Sequence, residues 1–341
     1  TYPIPARSLE RYFKINGNTL EKNYKENLRG FRDWEQADHA CDWVLLPENM
    51  GEHLSIDESM HQNDLFTFVS NKDGHGKKGT LIAVVRGTKA SDVIKILKQL
   101  PEEKRLAVKE VTMDYSDSMH AIVEAAFPKA DITIDVFHVI KNQCDALDEL
   151  RMRFKRKAIS EQGKEKAEFN KAKKRRKKAR EYYRKTHPRK RGENRGRKRK
   201  RANKQFKPNE LANGDTKVEL FTRARHILSK SGEKWSESQK TRAELVFGFA
   251  PQIRKAHSLV CKLRCIFKNK KLSKETAREK LKVWYKEVSE SNIKELIAAK
   301  RTLKAKEEDV LNYFVNHATN AAAESLNSKM KGFRSELRGV R

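Results

Sequence analysis

Residues 107–141, AVKEVTMDYSDSMHAIVEAAFPKADITIDVFHVIK, decide the fold. They read as strand, helix, strand, helix. Ala107–Met113 is short, rich in β-formers, and runs into Asp114. Asp117–Phe127 places Met119, Ile122, Val123 and Ala126 at helical spacing and is stopped by Pro128. Asp131–Val136 is a second short strand with Asp135 near its end, and His138 opens the next helix. Strand ends in open α/β sheets face the ligand crevice. A carboxylate leaving a buried strand is therefore a candidate metal ligand, and Asp114 is the one around which the rest of the chain is read.

Upstream, EHLSID ends on Asp57, DLFTFVSN alternates, NKDGHGKKG is a turn and TLIAVVRG is a third strand. Lys89–Leu100 is helical, with Val93, Ile94, Leu97 and Leu100 on one face and Pro101 as its stop. Three meandering strands followed by two crossover strands predict an α/β fold: a mixed five-stranded sheet flanked by helices. In such a sheet the first and fourth strands lie adjacent and parallel, which sets Asp57 beside Asp114. Two neighbouring carboxylates raise each other's pKa unless a cation sits between them. Mg²⁺ is bound by one or two carboxylates together with water and phosphate oxygens, so the pair is half of a site for metal-assisted phosphoryl transfer. Glu58, next to Asp57, competes as the ligand, and Asp117, three residues beyond Asp114, reads equally as a helix cap.

Downstream, the chain becomes extremely basic. Residues 151–207 carry 28 Lys/Arg against 5 Glu, a net +23 out of +30 for all 341 residues. That concentration points to a polyanionic partner. The cations singled out for DNA are Lys173, Lys174, Arg175, Arg176, Lys177, Lys178, Arg197, Lys198, Arg199, Lys200 and Arg201, with Tyr182, Tyr183 and Phe206 interleaved. Phosphate contacts of this kind give salt-dependent affinity without sequence information. EFNKAKKRRKKAREYYRK reads as a helix when its charge is screened. The Pro-, Gly- and Asn-containing stretch after it reads as disordered or ordered on binding.

From Val218 an all-helical block follows, including a capping box at Ser236 and Gln239. In the last helix, TNAAAESLNSKMKGF, Glu324, Asn327 and Lys331 share one face. Near the N-terminus, two short helices around Ile15-Asn16-Gly17, the second capped by Asn18, have the outline of a helix-turn-helix or of a plain helical hairpin. The expected organisation is thus a helical segment (1–50), the first part of the core (51–150), a basic, partly disordered segment (151–217), a helical insertion (218–315) and a final core helix (316–341). Four scattered cysteines give no disulfide framework and no zinc pattern, in keeping with a reducing compartment. No apolar run approaches the ~20 residues of a membrane span, and no signal peptide is visible. The absence of an initial Met and the stop at Arg341 read as a fragment.

The order of sheet and acids, the block FPKADITIDVFHVIK and the late TNAAAESLNSKMK resemble the ISL3 group of bacterial insertion-sequence transposases, in particular its Bacteroidetes branch. Thr319-Asn320, Glu324, Asn327 and Lys331 match its late pattern, and Val136 stands where the group has Arg. The resemblance implies an RNase H-like catalytic domain with a DDE triad at Asp57, Asp114 and Glu324. It implies two Mg²⁺ ions, with Mn²⁺ as a substitute, and DNA cleavage followed by strand transfer at transposon ends. It further implies DNA as partner, at least a homodimer in the DNA complex, and a bacterial, cytoplasmic, nucleoid-associated protein. Asp135 and His138 read either as groups supporting the ligands or as a structural pair capping a helix; Asn327 and Lys331 are further supporting candidates. Two alternatives stand beside the transposase: an RNase H-like nuclease without strand transfer, and a non-catalytic DNA-binding remnant.

Overall fold

The computed structural model describes residues 6–28, 30, 33–61, 63–187 and 205–336. The chain forms two compact units: residues 1–141, 266–281 and 302–341, and residues 142–265 and 282–301.

The first unit starts with α1 (Glu10–Phe13) and α2 (Gly17–Asn23), which are one and two turns long. The cap of α2 is Asn16, whose side chain accepts the N–H groups of Asn18 and Thr19, rather than the expected Asn18. Six strands then build one sheet: β1 (Trp43–Leu45), β2 (His53–His61), β3 (Asp64–Asn71), β4 (Leu81–Arg86), β5 (Glu110–Met113) and β6 (Asp131–Ile134). Their order is β1-β4-β3-β2-β5-β6. The expected five-stranded sheet is corrected to six. Trp43–Leu45, inside the segment 1–50 expected to be helical, pairs antiparallel with the outer edge of β4. The predicted juxtaposition is present: β2 runs parallel to β5, with Ser55 opposite Thr112.

The alternation along the strands separates two faces. Leu54, Ile56, Val69, Ala83, Val85, Val111, Met113, Ile132 and Ile134 form an apolar face, all buried. It is covered by α3 (Ala90–Leu97) and α5 (Asp117–Ala126), with α4 (Glu102–Leu106) in the crossover between α3 and β5. Val93, Leu97, Met119, Ile122, Val123 and Ala126 are their buried residues. The other face carries Ser55, Ser70, Glu110, Thr112 and Thr133, also buried. Here Lys72 Nζ donates to Glu110 Oε1 (2.7 Å) and Thr112 Oγ1 (2.6 Å), and the Asn316 amide donates to the other Glu110 oxygen. A sheet with a buried polar face places its carboxylates inside the protein rather than in bulk solvent.

The helix α6 (Val136–Thr186) is 51 residues long, and the division between units falls within it, after Lys141. The basic stretch up to Thr186 is therefore helical. Of the continuation expected to be disordered or ordered on binding (186–215), residues 188–204 lie outside the described residues, whereas residues 205–215 are described: Phe206 lies against Phe169 at 5.8 Å between ring centroids, and Asp215 is buried. After it come α7 (Lys217–Arg223), α8 (Arg225–Leu228), α9 (Glu237–Phe249), α10 (Pro251–Lys268), α11 (Lys274–Glu290) and α12 (Lys294–Ala305). The second unit has its own core. Trp284 is buried and its indole donates to the Leu259 carbonyl (2.8 Å). Asp215, 1% exposed, accepts from Arg242 (2.8 Å) and from Arg223.

The chain closes with α13 (Glu307–Leu311), α14 (Tyr313–Asn316) and α15 (Ala321–Glu336) in the first unit. α13 packs on the edge strand β6, and α15 on β2 and β3.

Candidate functional site

Asp57 is not at a strand end, as the sequence reading had it. β2 continues four residues beyond it, to His61, paired throughout with β3, and Asp57 sits opposite Phe68. The parallel pairing with β5 stops at Ser55 and Thr112, so the Asp57 side chain stands just past it, on the polar face. Asp114 follows the last residue of β5. Asp135 follows β6, and its N–H still bonds to the Met113 carbonyl (2.9 Å), continuing the ladder by one step. With a period of two, Thr112 and Thr133 point to the same face as these two aspartates.

Glu324 comes from the other direction, in the first turn of α15. Two asparagines hold this helix on β2. Asn320, 1% exposed, donates through Nδ2 to the Ile56 carbonyl (3.3 Å), and Asn327 donates through Nδ2 to Asp57 Oδ2 (2.5 Å). The small Ala323, also buried, lies between them in sequence and lets the helix approach closely. Asn320, Ala323 and Asn327 follow the i, i+3, i+7 stripe of one helix face. Glu324 is exposed, yet its carboxylate lies with a ring nitrogen of His138 and a carboxylate oxygen of Asp135 within 4.8 Å of one another.

The electrostatics tie these groups together. Asp57 is pushed up to about 6, first by burial and then by the negative charge of Asp114, with Glu324 adding to it; the Glu58 N–H and His138 work in the opposite direction. Asp135 is raised by burial, against the Phe137 N–H it accepts (3.2 Å) and against His138. His138 Nε2 lies 2.9 Å from Asp114 Oδ1. Burial disfavours its imidazolium, but the Asp114 bond and the charges of Asp114 and Asp135 outweigh burial and hold it above the ordinary histidine range. Glu58 is raised by burial and by Asp114. Alternation turns it to the opposite side of β2 from Asp57, and Asn327 bonds to Asp57.

Asp117 is not the helix cap. Ser116 caps α5, accepting the Met119 N–H, while Asp117 pairs with Lys306 (2.5 Å) and is thereby held below the usual carboxylate range. Lys306 also donates to the Tyr115 carbonyl (3.1 Å), fixing the residue after Asp114. Asn320 was matched from sequence only as part of the late pattern, with no role assigned, and Lys306 was not singled out. Asn320 had a visible signal, its place one turn before Glu324; Lys306 had none, because its partner is 189 positions away. Lys331 is exposed on α15, and its neighbour Lys329 donates to the Gly76 carbonyl (2.9 Å). Lys173, Lys174, Arg175, Arg176, Lys177 and Lys178 are exposed on α6, whereas Arg197, Lys198, Arg199, Lys200 and Arg201 lie outside the described residues.

A mixed six-stranded sheet, a final helix laid on its first long strand, and the acids Asp57, Asp114, Asp135 and Glu324 beside them define the class: an α/β core consistent with an RNase H-like transposase fold. The family model of the ISL3 DDE transposases, described as transposase, matches residues 54–341, and the chain belongs to that family. No curated protein and no solved structure gave a match.

Proposed function

We propose that this chain is an active DDE transposase in which Asp57, Asp114 and Glu324 bind a pair of Mg²⁺ ions, with Mn²⁺ as a substitute, and in which DNA ends are cut and then joined to a target. The observation that carries the reading is the Asp57 carboxyl, raised to about 6 by burial and by the charges of Asp114 and Glu324. Three acids gathered with His138 alone to offset part of their charge make a site short of positive charge, and an all-oxygen donor set suits a hard divalent cation. When bound, such ions polarise the scissile phosphate and activate the attacking oxygen. The chain's own groups arrange the acids: Asn327 fixes one oxygen of Asp57, and His138 fixes one oxygen of Asp114. Asp135 supports His138 by its charge. Lys331, exposed on the helix that carries Glu324, adds positive charge for a DNA strand.

DNA is the partner, in the bacterial cytoplasm at the nucleoid, and joining two ends calls for a dimer or larger assembly. Among the described residues no helix is long and apolar enough to cross a membrane.

The test is a plasmid carrying the termini that flank the gene, incubated with the chain and Mg²⁺. Cut ends bearing 3′-OH groups together with joined products are expected, and Asp57→Asn, Asp114→Asn or Glu324→Gln should each lower both by at least ~100-fold. Cutting without joining would establish the nuclease instead, and a gel shift without cutting the DNA-binding remnant. Wild-type cleavage that survives all three substitutions would remove these acids from the mechanism.

A further inference from the structure

The outer part of α6 has no counterpart in the acid site. From Gly163 to His187 every residue is exposed except Phe169, which faces Phe206. Between Lys164 and Lys185 there are twelve Lys/Arg and three Glu. At 100° per residue these cations surround the helix and leave one arc of only about 100° without a basic residue. That arc holds Ala172, Ala179 and Tyr183, with Glu165 and Glu168 at its near end. The length from Lys164 to Lys185 is about 32 Å, close to the ~34 Å of one duplex turn.

A helix that is polar all round is not packing on protein. Two alanines and one tyrosine over three turns are too little apolar surface for a coiled-coil seam, and a second copy of this segment would bring +9 against +9. A helix lying across the outside of a duplex needs cations on one side only. Cations on nearly three sides, with small residues on the fourth, match a helix seated in the major groove, where phosphates flank both sides and base edges form the floor. Alanine there meets thymine methyls without steric cost.

We propose that α6 from Lys164 to Lys185 is a preformed DNA-reading rod that seats in the major groove of a duplex, with Ala172, Ala179 and Tyr183 toward the bases. The proposal rests on the reading that this chain acts on DNA. It is independent of the acid site, because divalent-cation binding at Asp57 is measured without DNA.

The experiment uses the full chain and fluorescence anisotropy on a mixed-sequence 30-bp duplex, on its separated single strand, and on the same duplex with glucosylated 5-hydroxymethylcytosine filling the major groove. The variant replaces Lys173, Lys174, Arg175, Arg176, Lys177 and Lys178 together by Gln, a good helix former, so helicity by circular dichroism should be unchanged. Neutralising six cations should flatten the slope of log affinity against log salt by about 5 units. Between 50 and 200 mM salt, wild type should then lose about 10³-fold more affinity than the variant. Wild type should bind glucosylated duplex at least ~10-fold more weakly than plain duplex, and a minor-groove ligand such as netropsin should not displace it. An unchanged salt slope, equal affinity for glucosylated duplex, displacement by netropsin, or tighter binding of the single strand would each overturn the proposal. So would dimerisation of the DNA-free chain that is lost on Ala172→Glu, since it would assign the neutral stripe to a second copy.

Discussion

Asp57→Asn tests the charge deficit at the acid cluster directly. A buried carboxyl raised from 3.8 to about 6 holds its proton more tightly folded than unfolded. Below about pH 3 both states are protonated and the group is neutral toward stability. As pH rises from about 4 to 6, the unfolded chain ionises first, so the cation-free folded state loses stability; above about pH 7 the loss is complete. Two units of pKa correspond to about 3 kcal/mol at full strength, and solvent access at the exposed Glu324 side reduces this to about 2. The amide variant does not ionise. It forfeits one of the two acceptor contacts Asp57 has with the Glu58 N–H and with Asn327, a loss that does not vary with pH. The useful quantity is therefore the difference between variant and wild type as a function of pH. Thermal melts in chelator should show the variant gaining about 2 kcal/mol relative to wild type between pH 4 and pH 7, a few degrees in midpoint for a chain of this size. Millimolar Mn²⁺ at pH 7 should then raise the wild-type midpoint and leave the variant's unchanged. A pH-independent difference, or wild type gaining on the variant as pH rises, would refute the argument that Asp57 is buried among negative charges.

Further expectations follow from the same structure. Lys72→Met leaves Glu110 charged and buried without its ammonium partner and should cost about 3–5 kcal/mol in chemical denaturation, while Lys72→Met with Glu110→Leu should recover most of it. Asp215→Ala removes the buried carboxylate that accepts from Arg223 and Arg242 in the second unit; both arginines keep access to water, so the loss should be about 1–3 kcal/mol in chemical denaturation, and no measurable loss would show that the pairings contribute nothing. Asn327→Asp sets a second carboxylate against Asp57 and should weaken folding in chelator above pH 6 but much less in Mn²⁺, a difference that Asn327→Leu should not show.

Much of this protein is written locally. The alternation in DLFTFVSN and TLIAVVRG fixes strands, and the helical spacing of Met119, Ile122, Val123 and Ala126 fixes the crossover helix, because these patterns depend on neighbours within one or two turns. The extreme charge of residues 151–207, the late Asn-Glu-Asn spacing and the family resemblance were also legible. Other features were not. Trp43–Leu45 is three residues long and becomes a strand only because the edge of β4 is there to pair with it. β2 runs past Asp57 to His61 because β3 pairs with it along its whole length. The choice between Asp57 and Glu58 could not be read from two adjacent acids. Neighbouring strand residues face opposite ways, and only the arrival of α15, more than 260 residues later, determines which face receives Asn327 and Glu324. Periodicity reports which residues share a face; burial of a polar face, and the raised carboxyls that result from it, exist only once distant segments close over it.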